Sequence, residues 1–285
     1  GYLYTKDQEQ PALDPAVRNL GLDGFVFGRR SVGGIVGRAG AGSYFKGKIC
    51  LENLVNRATV LATDSKGVGG IIGTIWNEHI QENGVDYDRG GEIINCYNRG
   101  YIRQCEYSGP AGGILGENDC ANVYCCYSTG EVYSTAKMGR GIGADDAGRY
   151  YTVSDCFYIA GNYDCEVEQY YGYYYYECDS TESVNVTELT AAKMTDGTML
   201  AALNVNGTAY AAGPDGYPIL LWETGGSGSG TFSITKPEGG SVYGSVSEGS
   251  YAAGSIIYLT NQREDGWSFR YYTLNNKQIT GKYIT

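Results

Sequence analysis

Histidine is almost missing from this chain: of 285 residues, only His79 carries an imidazole. Zinc sites of the usual spacing need histidines or a Cys-x-x-Cys pair, and neither a second histidine nor such a pair occurs. His-Glu-x-x-His is absent too, which removes the zinc-peptidase centre that this motif builds. A Ser-His or Cys-His nucleophile would have to use His79, and nothing near it in sequence stands out as its partner. Basic residues are scarce: 21 Lys and Arg against 32 Asp and Glu give a formal net charge of −11. That balance argues against nucleic acid as a partner, because phosphates demand a basic face. No apolar run reaches the roughly 18 residues of a membrane-spanning helix, and no signal peptide is visible.

What the chain has in abundance is repetition. One segment recurs five times, beginning at Val17, Leu51, Ile93, Val123 and Val153. Its first column is always aliphatic, and its fourth is Leu or Cys: Leu20, Leu54, Cys96, Cys126 and Cys156. Two inward columns three residues apart cannot share one straight strand, because strand side chains alternate with period two. A bend must lie between them, where Asn19, Asn53, Asn95 and Asp155 stand, and Asn and Asp tolerate left-handed backbone. Gly24, Ala58, Gly100 and Gly130 mark the next corner.

A second motif interleaves with the first: Val32-Gly33-Gly34-Ile35-Val36-Gly37, Val68-Gly69-Gly70-Ile71-Ile72-Gly73 and Ala111-Gly112-Gly113-Ile114-Leu115-Gly116, with a degenerate copy over residues 139–143. No helical pattern and no Gly-Lys-Ser/Thr follows these glycines, so they are not phosphate loops; they let backbone approach backbone. The reading is a mainly β fold: a short β-helix or β-solenoid of about five coils, roughly 24 Å long at strand spacing, needing caps at its ends.

These alternating motifs resemble the GLUG repeat of bacterial surface proteins over roughly residues 17–160. That family occurs in large adhesins and in non-catalytic regions of IgA1-cleaving metallopeptidases. The resemblance implies an extracellular, cell-surface or secreted bacterial protein, and it is silent on the ligand.

Nine cysteines would suggest disulfides, but Cys96, Cys126 and Cys156 stand in the column that Leu20 and Leu54 fill elsewhere, so they read as small buried hydrophobes. Cys105 with Cys120, and Cys165 with Cys178, are candidate pairs on loops. Hard oxygen ligands make calcium a candidate on the acidic stretches Asp145-Asp146, Glu166/Glu168 and Glu117/Asp119; no other cofactor is implied.

Residues 1–161 are assigned to the repeats and 162–224 to a Tyr-rich loop, helical cap and closing strand. Residues 225–230 form a Gly/Ser linker and 231–285 a small β-rich, β-grasp-like module. In the cap, Thr187–Met194 and Asp196–Asn204 read as short helices and Gly216–Glu223 as the closing strand. The last module resembles the internalin B-repeat, with Tyr272 where that family often has Trp. The absence of a leader and the start within a repeat pattern read as a piece of a longer polypeptide.

The cluster Tyr170, Tyr171, Tyr173 and Tyr175 offers flat apolar faces with polar rims, suited to sugar rings or peptide. The function expected is a non-catalytic adhesin or binding module for a host glycan or surface protein. One alternative is a purely structural stalk of a larger surface protein or secreted peptidase. Another is a carbohydrate-active β-helix enzyme, which would need paired carboxylates about 5 to 10 Å apart.

Overall fold

The computed structural model describes residues 2–5, 16–41, 49–64, 66–77, 81–82, 85–86, 91–106, 109–118, 121–135, 138–145, 152–164, 186–225, 229–235, 240–244, 248–252, 255, 257–266, 268, 271–274, 277–278 and 283–284. The chain divides into two compact units, residues 1–192 and 193–285.

The first unit is built from parallel strands that pair with the strand one repeat later. Wall A starts from Ala16–Leu22 on Ile49–Asn56. Ile49–Asn56 pairs on its other edge with both Gly91–Ile94 and Tyr97–Asn98. One wing continues through Ala121–Tyr124 to Val153–Ser154, and the other through Tyr127–Ser128 and Phe157–Ile159 to Thr187–Leu189. Wall B holds Phe25–Gly28, Thr59–Ala62, Ile102–Gln104 and Val132–Ser134. Wall C holds the glycine-motif strands Val32–Gly33, Val68–Gly69, Ala111–Gly112 and Gly139–Arg140. Wall D runs Tyr2–Thr5, Val36–Ala41, Ile72–Asn77, Leu115–Asn118 and Gly143–Asp145. The repeat columns fall opposite one another, Val17 on Leu51 on Ile93 on Val123 on Val153. Their side chains fill one core with Leu54, Ile71, Ile72, Ile114 and the cysteine column.

The expected short β-helix or β-solenoid of about five coils is corrected here. The parallel sheets form a curled half-barrel of many short strands. Regular coils need one strand from every wall at every level, and among the described residues the walls do not supply them: walls B and C have four strands and wall D five, while the nine of wall A split into two wings from residue 91 on. At the level of residues 152–164 the described residues give wall A strands and a single bridge, Val132 to Tyr163, with no strand in walls B, C or D. The start of the first expected helix is corrected as well. Thr187–Leu189 is a strand, not a helix start, because the Thr187 N–H donates to the Cys156 carbonyl (2.9 Å) and the Ala160 N–H to that of Leu189 (2.9 Å). The helices are short: α1, Ala191–Thr195, and α2, Thr198–Leu203.

The corner inferred between the inward columns is present. Asn19, Asn53, Asn95, Cys125 and Asp155 all have φ between 50° and 57°, the left-handed region. The corner that follows is held by side-chain amides. Asn56 Oδ1 accepts from the Ala58 N–H (3.2 Å) and its Nδ2 donates to the Ala58 carbonyl (3.1 Å); Asn98 does the same to Gly100 (3.0 and 3.1 Å). The amides also bond along the stack, Asn56 Nδ2 to Asn98 Oδ1 (2.7 Å) and Asn98 Nδ2 to Ser128 Oγ (3.3 Å). All three residues are buried, and such a group left unpaired there is costly.

Cys50, Cys96, Cys105, Cys125, Cys126 and Cys156 are thiols. That removes the Cys105–Cys120 disulfide, while Cys165 and Cys178 lie outside the described residues. Cys96, Cys126 and Cys156 are stacked and buried, with the Cys96 N–H donating to Cys126 Sγ (3.3 Å). Burial pushes the Cys126 thiol well above its ordinary range, with bonds to Cys156 and Cys96 adding to the shift.

In the second unit, Asn204 fixes the chain after α2: Oδ1 accepts from Ala209 (3.0 Å) and Tyr210 (2.9 Å), and Nδ2 donates to the Tyr210 carbonyl (3.0 Å). Tyr210–Ala212 pairs antiparallel with Pro218–Leu220. Beyond residue 228 the described elements are antiparallel strands only, around Phe232, Ile257, Leu259 and Tyr272. The β-grasp-like expectation for this module is therefore corrected to an antiparallel β arrangement.

Two outcomes follow. Asn98→Ala orphans two backbone groups of Gly100 and two buried side-chain partners, so urea unfolding should show a loss of about 3 kcal/mol. Folded protein treated with iodoacetamide should label at the half-exposed Cys105 and spare Cys96, Cys126 and Cys156, which label only in denaturant.

Candidate functional site

The strands of wall B alternate strictly. Val26, Val60, Ile102 and Val132 point into a core shared with Val68 and Ala111 of wall C. The residues between them point outward, and the in-register pairing sets them in two columns. One reads Phe27, Leu61, Arg103, Tyr133; the other begins with Phe25 on Thr59 and continues through Tyr101, which precedes Ile102, and Glu131, which precedes Val132. Within such a column of a parallel sheet successive residues stand about 4.8 Å apart. The face is therefore a strip of aromatic and aliphatic surface with one cation in it.

Phe25 and Phe27 are each 63% exposed, an unusual state for a large apolar side chain. Tyr101 and Tyr133 are half-buried, with ring centroids 6.0 Å apart and planes tilted by 46°. Arg103 stands exposed beside them. The Tyr101 hydroxyl beside it, and more weakly the charge of Asp164, holds its pKa above the ordinary value. Among the described residues Arg103 makes no ion pair. Asp164 is engaged elsewhere: its carboxylate accepts the backbone N–H groups of Ser134 (3.0 and 3.2 Å) and Gly139 (3.0 Å), holding the last strands of walls B and C.

Phe27 also lines an open groove of about 520 Å³, together with the inward Val26 and Val32 and with Arg30, Ser31 and Arg38 among others. Arg29 and Arg30 both reach Asp64 Oδ2 (3.3 and 3.2 Å), and the Arg38 guanidinium lies over the Trp76 ring at 4.7 Å. Wall B thus offers rigid aromatic rings, a planar cation and a carboxylate at Glu131, on strands fixed from behind by an aliphatic core. Such a surface can stack flat rings and bond hydroxyl or carboxylate groups.

The chain is similar in fold to a solved structure. That structure is of a candidate immunoglobulin A1 protease from Bacteroides ovatus, 23% identical, with a TM-score of 0.55. The similarity covers 78% of this chain and 62% of that one, so this chain spans less than two thirds of its neighbour. No protein-family model matches the chain, and no curated protein does. The likeness therefore carries the fold, and the GLUG resemblance rests on the quoted motifs alone.

Tyr170, Tyr171, Tyr173 and Tyr175 lie outside the described residues, as do His79, Asp119, Asp146, Glu166 and Glu168. Among the described residues no three of His, Cys, Asp and Glu gather where a metal ion could be held. Glu117 instead takes a bond from Thr74 Oγ1 (3.3 Å) and lies 3.7 Å from Lys66 Nζ. The wall B face escaped the reading of the sequence. Its signal was the alternation Phe25-Val26-Phe27, Tyr101-Ile102-Arg103 and Glu131-Val132-Tyr133, which sits just past the columns that define the repeat.

If the exposed rings serve a ligand and not the core, Phe25→Ser with Phe27→Ser should leave stability within about 0.5 kcal/mol of the parent in urea unfolding. A loss of several kcal/mol would place them in the packing instead.

Proposed function

We propose that this chain is a non-catalytic binding module of a larger bacterial surface or secreted protein, and that it holds a glycan on the outer face of wall B. The observation that supports this best is the exposed strip Phe25, Phe27, Tyr101, Arg103 and Tyr133 on a rigid parallel sheet. Exposed large rings cost solubility and contribute nothing to this fold's core, whereas aromatic faces beside hydrogen-bonding groups are what sugar rings pack against. Adhesion to a host surface is the role this reading assigns, with Tyr170, Tyr171, Tyr173 and Tyr175 as a second contact. The likeness to the Bacteroides ovatus protein agrees with a place inside a longer polypeptide. Among the described residues no helix is long and apolar enough to cross a membrane.

A structural stalk is the second reading, favoured by the buried Asn56–Asn98–Ser128 chain, which serves rigidity alone. A glycan and mucin array with the full chain separates the two. Saturable binding that falls at least about tenfold in a folded Phe27→Ser/Tyr133→Ala variant maps the site to wall B, since a buried aromatic contact is worth on the order of 1.5 kcal/mol or more. Loss in Tyr173→Ala/Tyr175→Ala alone moves the site to the tyrosine cluster. A blank array sinks the binding reading in favour of the stalk.

A further inference from the structure

We infer that the wall B face takes a sugar bearing a carboxylate, with Arg103 holding the acid group and Tyr101, Tyr133 and Phe27 supporting the ring. This rests on the glycan-binding reading above and names its ligand class. Three observations lead to it.

The first is charge. In a chain of net charge −11, an exposed guanidinium on an aromatic strip is a local exception, and it makes no ion pair with any described residue. The other exposed arginines among the described residues of this unit are matched: Arg18 with Glu52, Arg57 with Asp23, Arg29 and Arg30 with Asp64.

The second is position. Arg103 stands between Leu61 and Tyr133 in its column, paired on both sides, with Tyr101 two residues before it on the same face. Strand pairing fixes its place on the face, and its exposed guanidinium is left to an incoming group. A guanidinium presents its donors in one plane and takes a carboxylate through two parallel bonds, which an ammonium cannot do.

The third is the company the cation keeps. Two carboxylates are near. Asp164 is spent on the backbone of Ser134 and Gly139, and Glu131 faces outward on the next strand beside Tyr101. Glu131 repels a polyanion lying along the whole face, while its oxygens suit sugar hydroxyls. The pattern fits one acid group at Arg103 with neutral hydroxyls beyond it, and not a long run of charges such as nucleic acid or a sulfated chain carries.

The test titrates the full chain by calorimetry with four probes: methyl galacturonoside, which carries one carboxylate, its methyl ester, sialyllactose and lactose. At least one acid probe should bind about tenfold or more tightly than its neutral counterpart, and about 0.5 M salt should weaken it, since an exposed pair is screened. Which acid wins tells a uronate source from a sialylated one. Arg103→Gln should erase the preference while circular dichroism shows an unchanged fold, and Arg103→Lys should recover only part of it. Equal binding of acid and neutral probes, or a preference that survives Arg103→Gln, overturns the assignment and leaves the glycan reading standing. Binding of none of the four also overturns it, and the array with Phe27→Ser/Tyr133→Ala then decides separately whether the face binds any glycan at all.

Discussion

Across the first unit, opposite walls approach so closely that a side chain on one must meet bare backbone on the other. A Cβ placed on Gly70 would lie 2.1 Å from the Gly113 carbonyl and 2.6 Å from the Asn98 side chain. On Gly34 it would lie 2.2 Å from the Gly70 carbonyl and 2.6 Å from Asn56, and on Gly113, 2.1 Å from the Gly141 carbonyl and 2.3 Å from Ser128 Oγ. The second glycine of each full motif, Gly34, Gly70 and Gly113, therefore has its own partner in the Asn56–Asn98–Ser128 chain. The two repeated motifs are two halves of one contact: glycine supplies the room, and the amide fills it while bonding to its own corner and to the next level.

That contact explains how a thin interior stays ordered. The aliphatic column from Val17 to Val153 provides burial, but apolar contacts are not directional and tolerate a shifted register. The amide chain does not. A slip of one residue would turn Asn98 away from Gly100, Asn56 and Ser128 together and bury all of them unpaired. Wall B inherits this register, and the outward strip of Phe25, Phe27, Tyr101, Arg103 and Tyr133 is aligned because the hidden side of the sheet is.

The repeat, its inward columns and its left-handed corner were legible from residue types alone, since Asn19, Asn53, Asn95 and Asp155 have few other reasons to recur between aliphatic positions. Cys125 takes the same backbone at φ 50° without the chemistry that predicts it, carried by the pairing on either side. The closure of the fold was not legible. Pattern gives the levels but not how many walls each level completes, and the longer insertions between repeats decide that. Thr187–Leu189 shows why the helical reading failed there: a Thr before an Ala-rich run is a fair N-cap, yet the open edge of Phe157–Ile159 offers a full set of ladder bonds to whatever arrives. The aromatic face was missed because a binding surface repeats less faithfully than the core behind it. Its positions change from Phe to Thr to Tyr to Glu down one column.

That unevenness is itself an argument about function. In wall B the inward column stays aliphatic at every level, Val26, Val60, Ile102 and Val132, so the scaffold constrains it. The outward columns are free of that constraint, and no stability term requires Phe27 in one level and Arg103 two levels on. A stalk would fill such positions with small polar residues, which solvate well and keep the chain from associating. Here two phenylalanines are left at 63% exposure beside a tilted tyrosine pair and a cation. Exposure on that scale, on a sheet held rigid from within, is what the binding proposal accounts for and a stalk does not.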